Sequence, residues 1–125
     1  MNKNAKKWVE ALKSGQFQQA RGQLRRKLGR GDYAYCCLGL ACELYRQDVG
    51  GRWREETVFG NAHNSAGLPA KVAKWLGAND DALVHLPRIG KDLAWLNDQG
   101  MTFTEIAALI NRYKRSLFKT EESRD

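Results

Sequence analysis

Apolar residues recur at helical spacing in several stretches of the chain and lose that rhythm between them. Ala5, Trp8, Val9 and Leu12 fall at i, i+3, i+4 and i+7, one apolar stripe that Ser14-Gly15 ends. Phe17, Ala20 and Leu24 suggest a second short helix, although Gly22 and the polar run QQARGQ leave a strand or extended turn open. Arg25-Arg26-Lys27 and Gly29-Arg30-Gly31-Asp32 form a basic corner and loop. YCCLGLACELY (35–45) is apolar on nearly every side and predicts a buried helix running to Tyr45 or Gln47, stopped by Gly50-Gly51.

The next stretch, WREETVFGNAHNSA (53–66), is the least regular, with a short strand around 57–59 and loop after it. Pro69 suits the first position of a helix that shows Val72, Trp75 and Leu76 on one face and stops at Gly77. ALVHLP (82–87) is a candidate strand. Ile89, Leu93 and Leu96 start a further helix closed by Gly100. Thr102-Phe103-Thr104-Glu105 is a capping box, and Ile106, Leu109, Ile110, Tyr113 and Leu117 make a stripe that reads as one long final helix.

The expected fold is therefore α+β and mainly helical: a compact single domain of four to five helices with one or two short strands. It spans residues 1–120, with a frayed tail at 121–125. The cysteine-bearing helix sits at the centre, and Trp8, Trp75 and Trp95 pack toward it. Trp53, in the irregular stretch, is either an aromatic at a binding surface or a satellite-core tryptophan.

A length of 125 residues fits one domain, and 42% apolar content with four tryptophans allows a core without disulfides. No apolar run approaches the ~20 residues needed to span a bilayer, so no membrane partner is expected. The N-terminal segment has basic residues but no continuous apolar stretch behind them, so it fails as a secretory signal. Three cysteines, two of them adjacent, fit a reducing cytoplasm better than a disulfide framework.

The net charge of +7 is unevenly spread. Residues 1–30 carry nine Lys or Arg against Glu10 alone, whereas residues 31–110 sum to −3 and 111–125 to +2. Arg21, Arg25, Arg26, Lys27 and Arg30, with Arg112, Lys114 and Arg115 near the other end, are the candidate contacts for an anionic partner such as nucleic acid, a nucleotide or an acidic protein surface. A solvated basic face is the plain alternative.

Cys36 and Cys37 sit at the start of the expected helix, where the helix dipole lowers a thiol pKa. A nucleophile there needs a base, and His63 and His85 are the histidines available. Neither belongs to a catalytic signature, and the apolar flanks favour core packing. There is no CxxC pair, and five residues separate Cys37 from Cys42, so metal-ligand spacing is lacking. No catalytic residue, metal site or cofactor is assigned. The segment 93–110 has the cadence of a helix, a glycine turn and a capped helix. Such a rhythm resembles the start of a helix-turn-helix, but the stripe continues to Leu117, so an ordinary helical hairpin is the simpler reading.

Taken in order, KWVEALKSGQFQQARGQL, YCCLGLACELY, LPAKVAKWLG and LAWLNDQGMTFTEIAALI resemble a family of small proteins from phage and prophage genomes. Its members share a tryptophan-bearing helix, a CCLG segment, an LPxxVxxWLG helix and an LNDxGxTFxxIA helix, and the likeness runs from about Lys7 to about Ile110. It implies a phage-type accessory protein, and it brings no catalytic residue, cofactor or substrate with it. The basic N-terminal edge and the KRSLFK segment look like features of this chain more than of the shared pattern. The leading expectation is non-enzymatic binding to a host macromolecule in the host cytoplasm. Binding of nucleic acid or nucleotide through the basic residues is the alternative, and a cysteine-dependent enzyme stands behind both.

Overall fold

The computed structural model describes residues 1–54, 58–59, 68–79 and 92–119. The candidate strand at 82–87, the helix start at Ile89, both histidines and the tail at 121–125 lie outside them. Among the described residues the fold is α+β and mainly helical, as the apolar periodicity predicts. Helix α1 (Lys3–Lys13) buries Ala5, Trp8, Val9 and Leu12, and the Asn2 side chain caps it by accepting from the Ala5 N–H. Helix α2 (Cys37–Asp48) buries every residue from Cys37 to Leu44. It is the central helix, contacted by α1, by α3 (Ala70–Leu76) and by α4 (Leu93–Asp98). Helix α5 (Phe103–Arg112) carries the capping box and packs on α1 and α4.

The basic corner is a strand, not a loop. β1 (Arg25–Lys27) pairs antiparallel with β2 (Tyr33–Tyr35), Arg26 opposite Ala34, around a one-turn 3-10 segment at Gly29–Gly31. The open reading of Phe17 to Leu24 resolves to a non-helical turn with one bridge, Gln19 to Tyr35, in which Tyr35 donates to the Gln18 carbonyl and Ala20 to the Tyr35 carbonyl. A second small sheet joins β3 (Trp53–Arg54) to β4 (Val58–Phe59), within the stretch where a strand is expected. Pro69 caps α3 from one position outside it, and Gly77 closes that helix.

Two expectations change. The long final helix breaks at Tyr113, and a short α6 (Lys114–Leu117) follows. Leu117 and Phe118 are both buried, Leu117 ending α6 and Phe118 following it in extended backbone. The break lets Phe118 become extended and bridge Ala78. Trp95 is the second correction: it is 44% exposed and lies outside the buried core. In the short α4 the inward positions, four apart, are Leu93 and Asn97, so Trp95 halfway between them faces outward.

Candidate functional site

Helix α1, the 19–24 stretch and α4 come together around the N-terminus of α2. Cys36 is the cap residue, its sulfur accepting from the Gly39 N–H at 3.3 Å. Cys37 is wholly buried, and its carbonyl accepts from the Trp8 indole N–H at 2.9 Å, tying α1 to α2. Gly39 lies against the Leu24 backbone: a Cβ there would overlap the Leu24 carbonyl oxygen and sit 2.6 Å from its carbon. The same Leu24 carbonyl accepts from the Cys36 N–H at 3.1 Å. Glycine is therefore required here for close approach of a neighbouring chain segment, not for an unusual dihedral.

Asn97 of the LND segment completes this junction from α4. It is fully buried, and its Oδ1 accepts from Gln19 Nε2 at 2.7 Å and from the Cys37 N–H at 3.2 Å. Its Nδ2 donates to the Ala20 carbonyl at 2.8 Å and to Asp98 Oδ1 at 3.2 Å. Asp98 also accepts from the Gly22 N–H at 2.8 Å, and Arg21 Nε donates to the Asn97 carbonyl at 3.1 Å. One asparagine thus satisfies groups of the 19–20 segment and the first N–H of α2 together, as a buried amide must. The apolar periodicity does not reveal this hub. A polar residue on an inward helical position is the signal that marks it.

The thiols do not fit nucleophilic chemistry. All three cysteines are free and buried. Burial pushes the Cys36 thiol up to about 11, against the lowering effect of the backbone N–H groups around it. Burial, and then Cys36 beside it, push Cys37 up, and burial likewise raises Cys42. The helix N-terminus was expected to favour the thiolate. Desolvation outweighs it because the α2 N-terminus is sealed by Leu24, Trp8 and Asn97.

The other constellation is on the surface. The Arg25 guanidinium lies 3.9 Å from the Tyr33 ring centroid and 4.5 Å from that of Trp53, a cation–π stack between the two small sheets. Trp53 is half-buried: its ring meets Phe59 at 5.0 Å and Tyr35 at 6.2 Å. Its indole N–H donates to Glu43 Oε1 at 3.1 Å, so Trp53 belongs to a satellite core and is not an open aromatic anchor. Glu43 is buried and also accepts from Arg46, at 2.9 and 2.6 Å, and from Gln47 at 3.0 Å. Burial raises its pKa, but the hydrogen bonds from Arg46, Gln47 and Trp53 outweigh that, and the carboxyl is held below its ordinary value.

Beyond this stack, Arg26, Lys27 and Arg30 are exposed on β1 and the hairpin tip, and Arg52 and Arg54 are exposed on either side of Trp53. Arg30 takes a left-handed conformation, φ 63° and ψ 29°, the one non-glycine residue with positive φ among those described. Arg21 is exposed, with its Nε committed to Asn97. Arg112, Lys114 and Arg115 are exposed on a segment anchored elsewhere: Asn79 donates to the Leu117 carbonyl and Lys119 to the Gly77 carbonyl, both at 2.8 Å. The hairpin is held instead through α2, α4 and Trp53. The expected basic contacts therefore divide between two anchor regions, and Arg52 and Arg54 join the hairpin group, which sequence reading left out.

No group of three or more potential metal-ligating side chains assembles among the described residues, and no helix among them is long and apolar enough to cross a membrane. Residues 1–114 match a family described as a domain of unknown function, DUF8296, and the chain belongs to that family. No curated protein and no solved structure matches the chain.

Proposed function

We propose that this member of the family is a phage-type accessory protein that acts by non-covalent binding to a host macromolecule bearing anionic groups, in the host cytoplasm. The observation that carries this reading is the Arg25 stack. It fixes one guanidinium between Tyr33 and Trp53 and gathers exposed arginines around it, while the thiols that an enzymatic reading would use are buried and protonated. A stacked arginine has already lost much of its rotamer freedom, so contact with an anion costs less entropy than it does for a freely moving lysine. The phage-type character rests on the four-segment resemblance, whose CCLG and LND segments are architectural here.

The test is capture from bacterial lysate on immobilised protein, wild type beside an Arg26→Glu/Lys27→Glu variant. A partner retained at low salt, released by moderate salt and lost with the variant supports the proposal. Retention that ignores both the salt and the charge reversal argues against it, as does no specific retention by the wild type.

A further inference from the structure

The β3–β4 sheet is seated on the fold by side chains. Among the described residues no backbone hydrogen bond joins β3 or β4 to another element, whereas β2 is tied by backbone bonds to Gln18 and Ala20. What seats the sheet is Trp53 and Phe59, partners across the two strands with ring centroids 5.0 Å apart. Phe59 is buried and meets Tyr45 of α2 edge-on at 6.1 Å. Trp53 meets Tyr35 of β2 at 6.2 Å, and the Arg25 guanidinium lies 4.5 Å from its ring.

One polar bond adds direction to this apolar seat. The Trp53 indole N–H donates to Glu43 Oε1 at 3.1 Å. Arg46 donates to both oxygens of the same carboxylate, at 2.9 and 2.6 Å, and Gln47 donates to Oε2 at 3.0 Å. Three of these four bonds arise within α2, so the helix itself holds the carboxylate in place, and the bond from Trp53 can break without disturbing it. A hydrogen bond to an ionised acceptor is also roughly twice as strong as a neutral one. Between the helix that carries the acceptor and the strand that carries the donor stand Gly50 and Gly51, at φ 122° and 102°. Glycine adopts such dihedrals without penalty, and a change of φ and ψ confined to a few residues between elements is how a hinge works. Gly51 also lies close to Phe59, whose ring a Cβ would meet at 3.2 Å, so the pivot and the seated ring are in contact.

We infer that β3–β4 is a clip that opens as a unit about Gly50-Gly51, with the Trp53–Glu43 bond as its latch, while the helical core stays folded. That core is held by other bonds: the Trp8 indole to the Cys37 carbonyl, and Asn97 to the Cys37 N–H and the Ala20 carbonyl. Opening breaks none of them, and local opening of this kind costs less than unfolding the whole domain. It takes the Trp53 ring away from Arg25, so the state of the clip sets the geometry of the Arg25 stack.

The experiment is native-state hydrogen exchange of two indole N–H groups, read by NMR along a urea series below the unfolding transition. The Trp53 indole reports the latch, and the wholly buried Trp8 indole reports the helical core. Trp53 should exchange at least about tenfold faster than Trp8 and rise far less with urea, because local opening exposes little surface. Glu43→Gln, which leaves a neutral acceptor, should speed Trp53 exchange by about tenfold or more. Asn97→Ala weakens the core and not the clip, so it should speed Trp8 by about a hundredfold and Trp53 by less than about twofold. Equal rates and equal urea dependence for the two indoles overturn the inference, as does equal acceleration of both by Asn97→Ala. So does a Trp53 indole that exchanges as fast as free tryptophan, or one that Glu43→Gln leaves unchanged. The wild-type comparison decides the matter even where a variant fails to fold.

Discussion

Replacing Gly39 with alanine isolates the close approach on which the junction depends. In an ordinary helix interior this change stabilises by about 1 kcal/mol, because alanine is the better helix former. Here the new methyl overlaps the Leu24 carbonyl, a backbone group that cannot rotate away. Relief requires shifting the Leu24 segment, which breaks the Cys36 N–H bond to Leu24, worth about 1 kcal/mol. It also disturbs the fully buried Leu24 side chain, whose burial is worth about 1.5–3 kcal/mol. Overpacking a core typically costs about 1–3 kcal/mol. Set against the helix-propensity gain, the net expectation is a loss of about 2–4 kcal/mol, a large share of the stability of a small domain. Urea denaturation followed by far-ultraviolet circular dichroism should show the midpoint falling by about 1–2 M at unchanged slope. A variant as stable as the wild type, or more so, refutes the close-approach argument.

Asn97→Ala removes the partner of one Gln19 N–H (the other donates to the Met101 carbonyl), of the Cys37 N–H and of the Ala20 carbonyl together. A loss of about 3–5 kcal/mol is expected from the same urea titration. The three thiols should resist iodoacetamide at neutral pH until the protein is denatured, with all three labelling together after that. Because burial raises the folded-state thiol pKa values, the stability this contributes is intact below the unfolded value near 8.5 and declines as pH rises toward the Cys36 value of about 11. Thermal midpoints across alkaline pH check it. Glu43 works in the opposite direction: its pKa is depressed, so its contribution is full above the ordinary glutamate value of about 4.3 and is lost as pH falls through the lower folded value. Glu43→Gln should be less stable by about 1–3 kcal/mol at neutral pH and show a flatter dependence on acid, read by urea midpoints at several pH values.

The helical framework was legible because its signals are local. The stripe of Ala5, Trp8, Val9 and Leu12, the apolar run from Cys37 to Leu44, and the Thr102–Glu105 capping box each declare their element within a few residues. The hairpin was not legible, because three-residue strands of sequence RRK and YAY are too short to display an alternation. The non-helical path from Phe17 to Leu24 is decided by partners far along the chain: Tyr35, Asn97 and Asp98. The break at Tyr113 leaves no mark in the periodicity, because Ile110, Tyr113 and Leu117 keep helical spacing across it. At the candidate site, the basic character of Arg25 to Arg30 was plain, but the placement of Arg52 and Arg54 depends on Trp53 reaching Arg25 and Glu43. Those contacts join residues ten to nearly thirty positions apart.

Arg30→Gly separates architecture from binding most directly. Glycine adopts the left-handed conformation without penalty, whereas arginine there is disfavoured by about 1 kcal/mol. The variant should be as stable as the wild type or up to about 1 kcal/mol more stable in urea. The decisive measurement is its affinity at low salt for the partner captured from lysate, made beside that stability. A roughly three- to tenfold weakening, with no loss of stability, is the expected result. Unchanged affinity, or a loss of affinity that tracks a loss of stability, would contradict the assignment of the hairpin as the working surface.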